Sequence, residues 1–210
     1  HEGENEIVIE VNHHQRDYVY YVLYGGVAEA MRNCPLFDTE IENIYLVGDF
    51  AVKTDGKFSD SEKPNVELYD GGFTLTNQPA TVRHDDFVRS GYPFYAGEIA
   101  TEFEYEYHAG MPTVLRADGR HAAAKITVNG REVKTMLFGR EYDLGEYLAD
   151  GKNKIDITVC NSMRNTMGPH HRTDPEPLAV GPETFSYEKE WNGRECKDFC
   201  ARYAFVKYGI

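Results

Sequence analysis

Hydrophobic and polar positions alternate at period two in three stretches of this chain. Lys125-Ile126-Thr127-Val128 runs into Asn129-Gly130, so Ile126 and Val128 share one strand face and the strand stops on a strong turn signal. Ile155-Asp156-Ile157-Thr158-Val159 repeats the alternation after the polar turn Gly151-Lys152-Asn153-Lys154, and reads as a half-buried antiparallel strand. From 99 to 107, Ile99, Thr101, Phe103, Tyr105 and Tyr107 line one face, with Glu102, Glu104 and Glu106 opposite. Further strands are expected over 39–52, 113–116, 133–138 and 202–207. A hairpin is expected from Val66-Glu67-Leu68-Tyr69 and Phe73-Thr74-Leu75 around Asp70-Gly71-Gly72. Only residues 17–31 space their apolar side chains as a helix does. Gly25-Gly26 interrupts them, so two short helical pieces are expected, ended by Asn33-Cys34-Pro35. After Asn161 the periodicity breaks into an irregular segment marked by Pro169, Pro175, Pro177 and Pro182.

The order of strand, Asn-Gly turn, strand, Asp143-Leu144-x-x-x-Leu148 and Gly151-x-Asn153-x-Ile155-x-Ile157-x-Val159 resembles the closing half of galactose-binding-like β-sandwiches, such as the sugar-binding domains of family 2 glycoside hydrolases. Gly48-Asp49-Phe50, Gly91-Tyr92-Pro93-Phe94-Tyr95-Ala96-Gly97, the run Asn161-Ser162-Met163-Arg164-Asn165-Thr166-Met167-Gly168-Pro169-His170-His171 and Val180-Gly181-Pro182-Glu183-Thr184-Phe185 are similar to the C-terminal accessory region of large bacterial glycoside hydrolases of the family 2 and rhamnosidase-like groups. The resemblance covers most of residues 36–210. It implies an all-β, jelly-roll (galactose-binding-like) sandwich with a short N-terminal helical segment, inside a multidomain protein. In that family the catalytic carboxylates lie on a separate barrel, so the resemblance transfers no catalytic residue.

Residues 3–12 repeat the pattern Gly-x-Asn-x-Ile-x-Ile-x-Val that recurs at 151–159. Such a strand normally closes a sandwich. It is expected to end an upstream module, with 1–35 holding that strand and a helical linker and 36–210 forming the present sandwich. The other reading makes it the first strand of this sheet.

Composition narrows the partners. A net charge of −13 argues against nucleic acid and anionic membranes, both of which require clustered Lys and Arg. Neutral ligands such as sugars suit that charge; polyanions suit it less. No apolar run reaches the length of a transmembrane helix, and His1-Glu2-Gly3-Glu4-Asn5 lacks the features of a signal peptide. The four cysteines, Cys34, Cys160, Cys196 and Cys200, form no framework and read mainly as free thiols, a disulfide or metal site being the other uses. Compartment stays open between cytoplasmic and secreted.

His170-His171 with Cys196 and Cys200 lacks the paired spacing of a zinc site, and adjacent histidines on extended chain point apart, so no metal ligand is assigned. Bound calcium enters only by analogy with other sugar-binding sandwiches. Asp85-Asp86, Glu102/Glu104/Glu106 and Glu188/Glu190 are acidic pairs, but a glycosidase sets two carboxyls facing across a cleft. No catalytic residue is assigned. For ligand binding the candidates are Tyr92, Phe94, Tyr95 and Trp191 as stacking faces, and Arg164, His170 and His171 as donors. Aromatic loops rich in Pro and Gly also plug the open ends of sandwiches, which is their commoner use. The reading is a non-catalytic accessory domain of a carbohydrate-active enzyme, with no cofactor, whose partners are oligo- or polysaccharide and neighbouring domains. A small hydrolase or lyase on the sandwich, and a protein-interaction module, are the rival classes.

Overall fold

Alternation turns into ladders in the computed structural model, which describes residues 2–12, 14–32, 34, 36, 38, 44–136, 140–178, 190–191, 194–195 and 199–210. The chain divides into two units, His1–Gly48 and Asp49–Ile210. In the first, α1 (Asp17–Tyr24) buries Val19 and Val22 and stops at Gly25, whose N–H bonds Tyr21 O at 2.7 Å. A second short helix, α2, is Glu29–Arg32. The helical stretch is therefore broken where the glycines stand. Residues 2–12 join no ladder among the described residues.

The second unit is an all-β sandwich. Its strands are β1 (Ala51–Thr54), β2 (Lys57–Asp60), β3 (Val66–Asp70), β4 (Phe73–Thr76), β5 (Glu98–Tyr107), β6 (Val114–Arg116), β7 (Ala123–Val128), β8 (Arg131–Met136), β9 (Glu141–Asp143), β10 (Gly151–Cys160), β11 (Glu190–Trp191), β12 (Arg194–Glu195) and β13 (Tyr203–Val206), with one further helix, α3 (Arg164–Met167). The main sheet has the order β5-β10-β7-β8 and the opposing one β13-β3-β2, every pairing antiparallel. Ile126, Val128, Ile155, Ile157 and Val159 from the first sheet meet Tyr69 and Phe205 from the second in one core, closed by Phe87, Leu144 and Tyr208.

Three expectations change. Residues 66–70 and 73–76 are strands but not a hairpin: β3 pairs with β2 and β13, whereas β4 pairs with β1. Two strands joined by a Gly-rich turn need not pair when each finds a partner elsewhere, and here Tyr69 sends its hydroxyl back over the turn to Gly72 O. The strand expected over 39–52 begins only at Ala51. Residues 39–43 lie outside the described part, and 44–50 carry no strand, with Ile44, Leu46 and Val47 exposed. A run of adjacent apolar residues has no period, so it could not separate strand from irregular chain. The expected strand over 133–138 is β8, and residues 137–138 lie outside the described part.

Candidate functional site

Two irregular segments meet where the β5–β10 ladder ends at Glu98 and Cys160, and hydrogen bonds decide how. In the first, Tyr92 N donates to Phe87 O at 3.1 Å and Tyr95 N to Tyr92 O at 3.3 Å, folding 87–97 into a tight loop. In the second, Asn161 ends the alternation of β10 and spends its whole side chain on that loop: Oδ1 accepts from Gly97 N at 3.0 Å, and Nδ2 donates to Tyr95 O at 2.7 Å. One turn later Thr166 Oγ1 donates to Phe94 O at 2.6 Å. Buried Asn165 clamps β13 from the other side, with Nδ2 on Val206 O and Oδ1 on Val206 N, each at 2.8 Å.

The sequence-derived candidates fall into different environments. Phe94 lies in an aromatic cluster, its ring centroid 4.8 Å from Phe73, 5.1 Å from Phe205 and 5.7 Å from His170. His170 is buried; its Nδ1 is 3.2 Å from Ala204 O and its Nε2 has no partner among the described residues. Burial pushes its pKa down to about 4, so the ring is neutral at pH 7 and Nδ1 carries the proton that reaches the carbonyl. His171 packs at 4.3 Å from the Tyr203 ring and sets Nδ1 3.1 Å from Cys200 O. Arg164 donates Nε to Glu176 at 2.6 Å and Nη2 to Pro175 O at 2.8 Å, which commits most of its guanidinium to the fold. Tyr92 is half-buried against the core, and Tyr95, 39 % exposed, stands 5.9 Å from it ring to ring with its hydroxyl on Glu98 O. Trp191 belongs to β11, but its side chain, like Cys196, lies outside the described residues. The structure thus brings Tyr92, Phe94, Tyr95, Arg164 and His170 together and turns Tyr95 most toward solvent.

Apart from Glu176 on Arg164, the acidic row of β5 sits elsewhere. Glu102 and Glu104 project from the outer face of β5 and pair across the ladder with Lys154 at 2.7 Å and Lys152 at 3.1 Å. Among the described residues no three His, Cys, Asp or Glu side chains stand together as a metal site.

Beside Arg164 opens a pocket of about 450 Å³ that the sequence reading missed. Asn65, Arg120, His121, Arg140, Ser162 and Lys207 contribute to its lining, which contains no Asp or Glu. These residues come from turns and loops far apart in the chain. No spacing rule links them, so no local signal announced the pocket.

No family model matches the chain, and no curated protein does either. Among solved structures it is similar to the β-D-glucuronidase of Dictyoglomus thermophilum at 17 % identity, over 56 % of this chain and 21 % of that one, with a TM-score of 0.31. It is also similar to a glycosyl hydrolase family 2 member from Bacteroides cellulosilyticus at 22 % identity, over 55 % and 17 %, TM-score 0.30. A rhamnosidase from Novosphingobium sp. PP1Y matches at 15 % identity over 82 % of this chain and 16 % of its own length, TM-score 0.37. The chain spans about a fifth of the length of these enzymes.

Proposed function

We propose that this chain is a non-catalytic accessory module of a carbohydrate-active enzyme, a glycoside hydrolase, and that it holds glycan where the 91–97 loop meets the 161–172 segment. The observation that carries the reading is that junction. The exposed ring of Tyr95 stands on a loop that Asn161 and Thr166 tie to a segment bearing the hydroxyls of Ser162 and Thr166 and the guanidinium of Arg164. A sugar needs both an apolar face for its C–H groups and polar partners for its hydroxyls. Phe94, His170 and His171 serve this site by holding its wall, while Tyr95 offers the ring, with Tyr92 beneath it.

The rival reading as a small hydrolase has less support. Glycoside hydrolysis uses two carboxyls across a cleft. The pocket lining holds none, and the most regular acidic row is paired with lysines on an open sheet face. Glycan-array binding by the intact chain and by Tyr95→Ala tests the proposal. Retention should fall about tenfold in the variant with an unchanged melting curve, in a micromolar-to-millimolar affinity range because a sugar makes few contacts. Turnover of an aryl glycoside that disappears on replacing one Asp or Glu would overturn the accessory role.

A further inference from the structure

A chain of net charge −13 gathers Arg120, Arg140, Arg164 and Lys207 around one pocket with no carboxylate in its lining. The four cations are not equally available. Arg164 is held by Glu176, and Lys207 lies 3.0 Å from the buried carboxylate of Glu67. Arg140 reaches Asp118 only at 4.0 Å, and Arg120 makes no ion pair among the described residues. Both are exposed.

The wall that carries Arg120 is tightly set. Gly209 N donates to Arg120 O at 2.8 Å, and a Cβ on Gly119 would fall 2.1 Å from the Ile210 Cα, so only glycine permits this approach to the C-terminal residues. Two buried atoms of the lining residues, Asn65 Oδ1 and His121 Nδ1, have no hydrogen-bond partner among the described residues. Such atoms are costly unless something fills them. An inorganic oxyanion brings at most one or two donors on a small charged body, too few to meet these atoms and the guanidinium groups together. A hydroxylated molecule brings donors as well. The pocket volume falls in the range of small-molecule sites, above what one oxyanion occupies.

We infer that this pocket binds an acidic sugar, a hydroxylated ring bearing a carboxylate. Arg120 and Arg140 take the carboxylate, and Asn65 and His121 take hydroxyls. Guanidinium groups suit a carboxylate because their paired N–H donors match its two oxygens. The inference rests on the glycan-binding reading but uses other residues than the Tyr95 surface, so each can fail alone.

The test is an NMR titration of the 210-residue chain with sodium D-galacturonate, D-galactose and inorganic phosphate, in low salt and with added NaCl. Galactose differs from galacturonate in lacking the carboxylate. Galacturonate should bind at least about tenfold more tightly than galactose and than phosphate, and should weaken as salt rises. Arg120→Glu and Arg140→Gln, both at exposed positions, should each reduce galacturonate affinity about tenfold or more with unchanged melting curves. Equal binding of galactose, equal binding of phosphate, no binding, or unaltered affinity in both variants would each overturn the inference. Tyr95→Ala separates the two sites: loss of neutral-glycan binding there with galacturonate binding intact supports this pocket as distinct.

Discussion

Asn153 shows how much one residue of a sequence pattern can hold. It is 1 % exposed, a polar group in the core edge. Its Nδ2 donates to Ala149 O and Gly151 O, each at 2.8 Å, while Oδ1 accepts from Ala149 N and from Asn129 Nδ2, both at 2.8 Å. The Asn of Gly-x-Asn-x-Ile is therefore the knot that ties the turn before β10 to the Asn129-Gly130 turn. Asn153→Ala should destabilise by about 3 kcal/mol, because several buried backbone groups lose partners together. Asn153→Asp should keep the acceptor bonds and lose the donor ones, giving a cost of similar size in chemical denaturation. His170 adds a pH term. Its folded pKa of about 4 lies below the ordinary 6.5, so between those values the unfolded chain takes up a proton that the folded chain refuses. Stability should be full above pH 6.5 and fall toward pH 4 by about 3 kcal/mol from this group, near 1.4 kcal/mol per pH unit. Urea melts of wild type and His170→Phe across that window check it: the variant should show a shallower loss, and parallel curves would refute the assignment.

At the scale of elements, the β7–β8 hairpin shows why some strands were legible. Asn129 has φ 52° and Gly130 φ 77°, with Val128 opposite Arg131, a two-residue turn of the type the Asn-Gly pair favours. Gly130→Ala should cost about 1 kcal/mol through the positive φ alone, since open space surrounds that position. Gly72→Ala is the control: it too meets open space but has no positive φ, so it should be close to neutral in the same thermal melts. The long strands β5 and β10 were readable for a related reason. Each has one wet and one buried face, so a period of two survives in the residues, and the ladder from Glu98–Cys160 to Tyr107–Gly151 follows. Partner choice was not readable. Which strands β3 and β4 would find is decided by chain far away at β2, β13 and β1, and nothing in Asp70-Gly71-Gly72 encodes that. The candidate site divides the same way. The candidates on 91–97 and 164–172 were legible because both segments break the alternation, and chain that leaves a ladder gathers at its ends. The pocket escaped notice because Asn65, Arg120, Arg140 and Lys207 converge only after the sheets close.

For the whole molecule, the question is what residues 1–48 contribute to folding. Both hydrophobic clusters of the sandwich draw their members from residues 58–210. Residues 2–12, which copy the closing-strand pattern, are exposed throughout, with Ile7 at 70 % and Val8 at 72 %. In the first unit, Val19 and Val22 are the buried apolar side chains among the described residues. The energy that closes the sandwich therefore comes from the second unit's own apolar surface, because burial of such surface is the dominant favourable contribution. A chain of residues 49–210 should fold by itself. Its thermal transition should remain cooperative, with a midpoint within about 3 °C of the full chain, the shift that roughly 1 kcal/mol produces in a domain of this size. The measurement is a pair of calorimetric scans at matched concentration, with tryptophan and far-ultraviolet signals followed in parallel. A broad or absent transition in the shorter chain would mean that the pattern at 3–12, or the helices after it, completes this fold. A coincident, sharp transition would make 49–210 a self-sufficient piece on which both proposed sugar sites can be tested.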